Sequence, residues 1–186
     1  MTGTPVAAVE DRAPPAGPWD RLLRFSRHYL PDVVYGANDG IITTFAVVSG
    51  VVGAALSDTV IIVLGFANLL ADGFSMGASN YLARRSNVES GQADDRGDGV
   101  RHAAATIAGF VVAGLIPLVA YVVPIPESSR LPAAIGLTGV ALFAVGASRS
   151  FVTKRGFLRS GAEMLLVGAL AAVVAFAIGA LVAGIV

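Results

Sequence analysis

The chain contains no cysteine, which excludes disulfide frameworks, zinc–thiolate sites, iron–sulfur clusters and thiol nucleophiles. Charge is nearly as scarce. Only 14% of the residues are Asp, Glu, Lys or Arg, against roughly 25% in a soluble domain. The 13 basic and 13 acidic side chains cancel, so the electrostatic footprint that a nucleic acid needs is missing. There is no phosphate-cradling loop, nucleotide-binding motif, internal repeat or nucleophile–base pair, and an enzyme is not expected. In their place, 55% of the 186 residues are hydrophobic and 22 are glycine, with a mean hydropathy of +0.73. Close-packed membrane helices have this composition.

Apolar stretches run over 33–56, 59–82, 103–123, 131–148 and 164–186. About 20 residues at about 1.5 Å each cross the ~30 Å hydrocarbon core, so each stretch can span it. The expected fold is an all-α integral membrane protein with five transmembrane helices over 32–186. Residues 1–17 are rich in Pro, Ala and Gly, lack the pattern of a signal peptide, and are expected to be a disordered tail. Arg12, Arg21, Arg24 and Arg27 precede the first span. Arg84, Arg85, Arg96 and Arg101 lie between the second and third, and Arg149, Lys154, Arg155 and Arg159 between the fourth and fifth. Arg130 alone lies on the other side, so the positive-inside rule puts the N-terminus in the cytoplasm and the C-terminus outside.

Over 18–31, Trp19, Leu22, Leu23, Ser26, Tyr29 and Leu30 recur at helical spacing opposite Asp20, Arg21, Arg24, Arg27 and His28. This predicts an amphipathic helix lying on the inner surface, ended by Pro31. Pro117 is expected to bend the third span, and 123–132 to form a tight outer turn.

All the carboxylates except Asp39 and Asp72 fall in tails, loops or span ends. An aspartate near a helix centre costs about 2.5–3.5 kcal/mol to insert, a penalty accepted where it faces a partner or a watery cavity. Asn68, Asp72, Ser75, Met76 and Ser79 line one face of the second span. Asn38, Asp39, Thr43 and Thr44 occupy the inner half of the first, flanked by Gly36 and Gly40. Counting rise from the span midpoints puts Asp39 and Met76 at similar depth, with Asp72 one turn away. Two carboxylates and a thioether suit a stepwise path for a divalent first-row metal, Asp39, Asp72, Met76 and Asn68 being the candidate ligands and Thr43 and Ser75 supporting polar groups. A bound cation and a proton compete for such carboxylates, so exchange of metal for protons follows naturally. The structural alternative makes both acids interhelical glue, hydrogen-bonded to Asn38, Asn68 or hydroxyls.

Glu163, near Arg159, is a secondary candidate whose simpler role is a surface ion pair. The loop acids Glu89, Asp94, Asp95 and Asp98 are offset by arginines and read as a linker. His28 and His102 are expected to be solvated or in contact with headgroups. The pairs Gly36/Gly40 and Gly73/Gly77 match small-xxx-small helix packing and make a homodimer an expected state.

The runs YGANDGIITTFAVVSGVVGA (35–54) and GFANLLADGFSMGASNYLARRS (65–86) resemble the vacuolar iron transporter family, with a weaker collinear likeness over 103–186. The resemblance implies a homodimeric metal/proton antiporter moving ferrous iron, or manganese, out of the cytoplasm, with the first spans of two subunits lining a central path. It gives Asp39 the role of the family's intramembrane aspartate and Met76 that of its path methionine. Two features depart from the family: Asn68 stands where plant members place a glutamate, and the glutamate-rich cytoplasmic metal-binding insert is missing. No cofactor is expected beyond the transported Fe2+ or Mn2+. The alternatives are a passive divalent-cation channel and a non-transporting membrane scaffold. A prokaryotic plasma membrane is the expected location, with a vacuole-type membrane the alternative.

Overall fold

A computed structural model describes residues 18–92, 98–150 and 156–185, with side chains described from His28 onward. The expected tail at 1–17 and most of the apolar stripe over 18–31 therefore lie outside the described side chains. The described residues form six helices and no strand: α1 (Pro18–Gly53), α2 (Asp58–Glu89), α3 (Gly99–Gly114), α4 (Ile116–Val122), α5 (Glu127–Ser148) and α6 (Phe157–Ala183).

Three helices, α2, α5 and α6, are long and apolar enough to cross a membrane. The α3–α4 pair, bent by 42°, makes a fourth if its halves are one span. The bend falls at the position expected from Pro117, which opens α4 and has no N–H to donate back into the turn before it. Helix α1 is not among these spans, because Asn38, Asp39, Thr43 and Thr44 interrupt its apolar stretch. It is nevertheless central: Ile41, Thr44 and Val48 are fully buried.

Several boundaries differ from expectation. Pro31 does not end the first helix, since α1 runs unbroken from Pro18 to Gly53. The carbonyl that Pro31 deprives of a donor belongs to residue 27, ahead of the apolar stretch, where water or headgroups can satisfy it. Helix α2 continues past 82 to Glu89, and the outer turn is shorter than 123–132 because α5 already starts at Glu127.

Glycine sets how closely the helices approach. A Cβ at Gly36 would lie 2.2 Å from the Thr106 carbonyl oxygen, one at Gly40 2.3 Å from that of Phe110, and one at Gly109 2.3 Å from that of Val33. Backbone thus lies against backbone between α1 and α3. Gly73 and Gly77 instead make room for the side chains of Phe110 and Ile107 of α3. Both glycine pairs are therefore occupied within the chain, and the neighbour that Gly36 and Gly40 admit is α3 rather than α2. Successive contacts show α1 running with α3 and α6, and against α2; α5 runs against α6. Arg84, Arg101 and Arg159 consequently share one end of the bundle, and the Asp58–Arg130 ion pair marks the other.

Candidate metal site

Two hydrogen bonds fix the register of α1 on α2. Asn68 Nδ2 donates to Thr43 Oγ1 at 3.5 Å, and Asn80 Nδ2 donates to Asp32 Oδ1 at 2.7 Å. Four residues back from Thr43 on α1 and four onward from Asn68 on α2 bring Asp39 and Asp72 level with one another. Asp72 is the charged neighbour that acts on Asp39. Met76 lies one further turn toward the arginine-rich end, so the expectation of equal depth for Asp39 and Met76 gives way to an Asp39–Asp72 level with Met76 below it. Rise counted from span midpoints treats the helices as independent rods, whereas side-chain bonds set their offset.

Neither the Asp39 nor the Asp72 carboxylate has a hydrogen-bond or ion-pair partner among the described residues. Thr43 donates instead to the Asp39 backbone carbonyl at 2.9 Å, and the buried Asn38 Oδ1 has no partner. The glue arrangement, with Asn38, Asn68 or hydroxyls bonded to the two acids, is thus not formed among the described residues. Asp39, Asp72, Asn68 and Met76 are all half-buried, while Ser75 and Ser79 are exposed on the outer surface of α2. Ser75 therefore faces away from the seam, and Met76 packs partly against the apolar core. Glu163 accepts a hydrogen bond from Arg159 Nε at 3.1 Å, one turn earlier on α6, which is the ion pair expected for it.

A second polar cluster extends the seam toward the arginine-rich end. Asp32 is only 7% exposed and accepts hydrogen bonds from Asn80, from Arg84 Nη2 at 3.2 Å and from His102 Nδ1 at 2.6 Å. Asn80 also reaches Thr106 Oγ1 at 2.7 Å and accepts from Arg84 Nε at 2.9 Å. His102, expected to be solvated, is buried at 4% exposure and faces His28 across 3.1 Å between their Nε2 atoms. The correction has a simple cause: His102 begins a helix packed backbone-to-backbone on α1, and the acid it meets lies 70 residues away in the chain. The sequence did carry a signal for this extension. His28, Asp32, Asp39 and Thr43 keep to one face of α1, and Asn68, Asp72, Met76, Asn80 and Arg84 recur every fourth residue on α2. Among the described residues, no three His, Asp or Glu side chains are gathered tightly enough to hold a metal ion outright.

Apolar helices packed through glycine, with a continuous polar seam between the first two, define a multi-pass integral membrane protein. The sequence model of the VIT family matches residues 30–98 and 88–180, and the chain belongs to that family. It is 42% identical over 69 residues to the vacuolar iron transporter of Toxoplasma gondii, covering 37% of this chain and 23% of that one. With the vacuolar iron transporter of Plasmodium falciparum it shares 50% identity over 54 residues, or 29% and 20% of the two chains. With vacuolar iron transporter homolog 5 of Oryza sativa subsp. japonica it shares 28% over 172 residues, 85% of this chain and 83% of that one. The chain thus spans less than a quarter of the length of the two apicomplexan relatives and most of the rice one.

Proposed function

We propose that this protein moves a divalent transition metal, ferrous iron or manganese, out of the cytoplasm in exchange for protons. The observation that carries the proposal is the Asp39–Asp72 pair, two carboxylates level with one another on adjacent helices and without a protein partner among the described residues. Each costs about 2.5–3.5 kcal/mol to place at mid-membrane, and adjacent like charges add to that penalty. A dication between the two offsets both terms, and protons can do the same once the metal leaves. Met76, one turn away, adds a soft donor that favours iron or manganese over magnesium. Membership of a family whose named relatives are iron transporters supports the same chemistry.

In this proposal α1 is the fifth span, beside α2, α3–α4, α5 and α6. The alternating helix directions and the arginines at one end support an N-terminus in the cytoplasm and a C-terminus outside, in a prokaryotic plasma membrane or a vacuole-type membrane. A homodimer completes the path. Half-buried Asn68 and Asp72 and exposed Ser75 and Ser79 leave a polar strip on α2 that lipid solvates poorly and a second copy would cover.

The test is flux of Fe2+ and Mn2+ into proteoliposomes containing a pH-sensitive dye. The wild-type protein should move metal with an opposite pH change, and Asp39→Asn and Asp72→Asn should each abolish flux while the protein still purifies folded. Metal uptake that proceeds without any pH change would show a passive channel instead. Wild-type vesicles that take up no metal at all would leave only the scaffold.

A further inference from the structure

At the arginine-rich end, His28, His102 and Asp98 converge, and no step of the proposed exchange uses them. We propose that the two Nε2 atoms of His28 and His102, with Asp98 as a third donor, form a capture site for the incoming divalent transition metal. The inference rests on the transport function proposed above, and supplies the first binding step for a chain that lacks the family's metal-binding insert.

Tautomer geometry carries the inference. His102 Nδ1 lies 2.6 Å from Asp32 Oδ2, and a carboxylate accepts only, so Nδ1 bears the proton. In the tautomer that donates from Nδ1 alone, the lone pair is at Nε2, and this atom lies 3.1 Å from His28 Nε2. A carboxylate behind one imidazole nitrogen, leaving the other free, is the outer-shell arrangement that orients histidine ligands at metal centres. Asp32 is itself held by Arg84 and Asn80 and so acts as a positioning residue. With metal–nitrogen bonds of about 2.0–2.1 Å, two imidazoles on one ion keep their nitrogens about 2.9–3.4 Å apart. The pair already has that spacing.

Access and strength also fit a transient site. The His28 side chain is 47% exposed, whereas that of His102 is 4% exposed, so an ion can reach the pair from water through His28. Asp98 Oδ2 stands 3.7 Å from His28 Nε2 and pairs with Arg101 at 3.2 Å, so it closes the coordination only by a side-chain rotation. Arg84 and Arg101 balance the two acids, leaving no strong field to trap the ion. Binding rests on imidazole donors, which select first-row transition metals against Mg2+ and Ca2+. From here α1 leads inward on one face: Asp39 follows Asp32 by two turns, about 10 Å.

The test uses the full-length protein in nanodiscs, with Co2+ as probe and its visible absorption as readout, alongside Mn2+ flux in proteoliposomes. His28→Gln should weaken the Co2+ site by at least about tenfold, the size of loss that follows removal of even an outer-shell partner. It should raise the KM for Mn2+ flux by a similar factor and leave the maximal rate unchanged. His102→Gln should do the same, and His28→Gln stands alone if the buried variant does not fold. Asp39→Asn should stop flux but keep the histidine-dependent Co2+ site, and excess Mg2+ should not displace Co2+ from it. Co2+ binding and KM unchanged in His28→Gln would overturn the capture site while leaving transport intact. A histidine-dependent Co2+ site on a wild-type protein that moves no metal would retain the site and overturn transport.

Discussion

Gly40→Ala adds one methyl group beside the Asp39 carboxylate, and its consequence can be worked from the helix crossing. The new Cβ would lie 2.3 Å from the Phe110 carbonyl oxygen and 2.9 Å from that residue's carbonyl carbon and Cα, where ordinary contact begins near 3.4 Å. All three neighbours are backbone, so no rotamer change relieves them, and α1 and α3 must part by roughly 1 Å at their closest point. Overpacking of this kind costs about 1–3 kcal/mol, and the fully buried Phe110 and Ile41 beside the crossing lose contacts as the helices separate. Gly136→Ala is the matched control: nothing lies within 4 Å of its added Cβ, so it should be neutral or gain up to about 1 kcal/mol from helix propensity. At about 2–4 °C per kcal/mol for a chain of this size, the two variants should differ in Tm by about 2–16 °C, followed by circular dichroism at 222 nm in one detergent. Metal flux should fall in Gly40→Ala as well, because separation from α3 shifts Asp39 relative to Asp72. A Gly40→Ala protein melting within about 1 °C of wild type would refute the backbone-on-backbone crossing.

Three further outcomes follow from the same helix packing. Gly65→Ala meets only side-chain atoms of Leu118, the nearest at 2.6 Å; Gly65→Ala with Leu118→Ala should therefore be more stable than the sum of the single changes, by about 1 kcal/mol or more in a double-mutant cycle of melts, whereas Phe110→Ala should not rescue Gly40→Ala. Ala55, in the turn between α1 and α2, has φ 52°, so Ala55→Gly should raise stability by about 1 kcal/mol, and a lower Tm would show that the turn does not hold this conformation. Asp32→Ala leaves His102, Asn80 and Arg84 without their shared acceptor, and because Arg84 is 43% exposed the loss should be about 2–3 kcal/mol rather than the 3–5 of a fully buried pair; a change under about 0.5 kcal/mol in chemical denaturation would show the cluster to be structurally idle.

What was legible in the sequence was whatever depended on one helix at a time. The apolar stretches, the bend at Pro117, the Arg159–Glu163 pair and the placement of Asp39 and Asp72 inside long helices all follow from local spacing and composition. The depth of Met76 did not, because the offset between α1 and α2 is set by Asn68–Thr43 and Asn80–Asp32, contacts whose partners are 25 and 48 residues apart. The same holds for Gly36 and Gly40. Their spacing announced a close helix contact but could not say that α3 makes it, and so the dimer expected from them must be argued from the polar strip of α2 instead.

His102 shows most clearly why the polar cluster escaped a linear reading. A histidine at a span end is ordinarily a headgroup contact, and nothing in its neighbourhood within the chain says otherwise. It becomes buried because Gly109 and Gly36 bring α3 against α1, which carries Asp32 to the position where the imidazole can donate. The glycines that allow the approach thus also fix the chemistry at its end. A helix pair held about 1 Å further apart would stretch the 2.6 Å His102–Asp32 bond to about 3.6 Å, beyond hydrogen-bond range, and would remove the hold on the imidazole. Packing and the proposed metal capture are in this sense linked, and Gly36→Ala, which adds a methyl group against the Thr106 carbonyl and touches neither histidine, should degrade the Co2+ site together with the fold's stability.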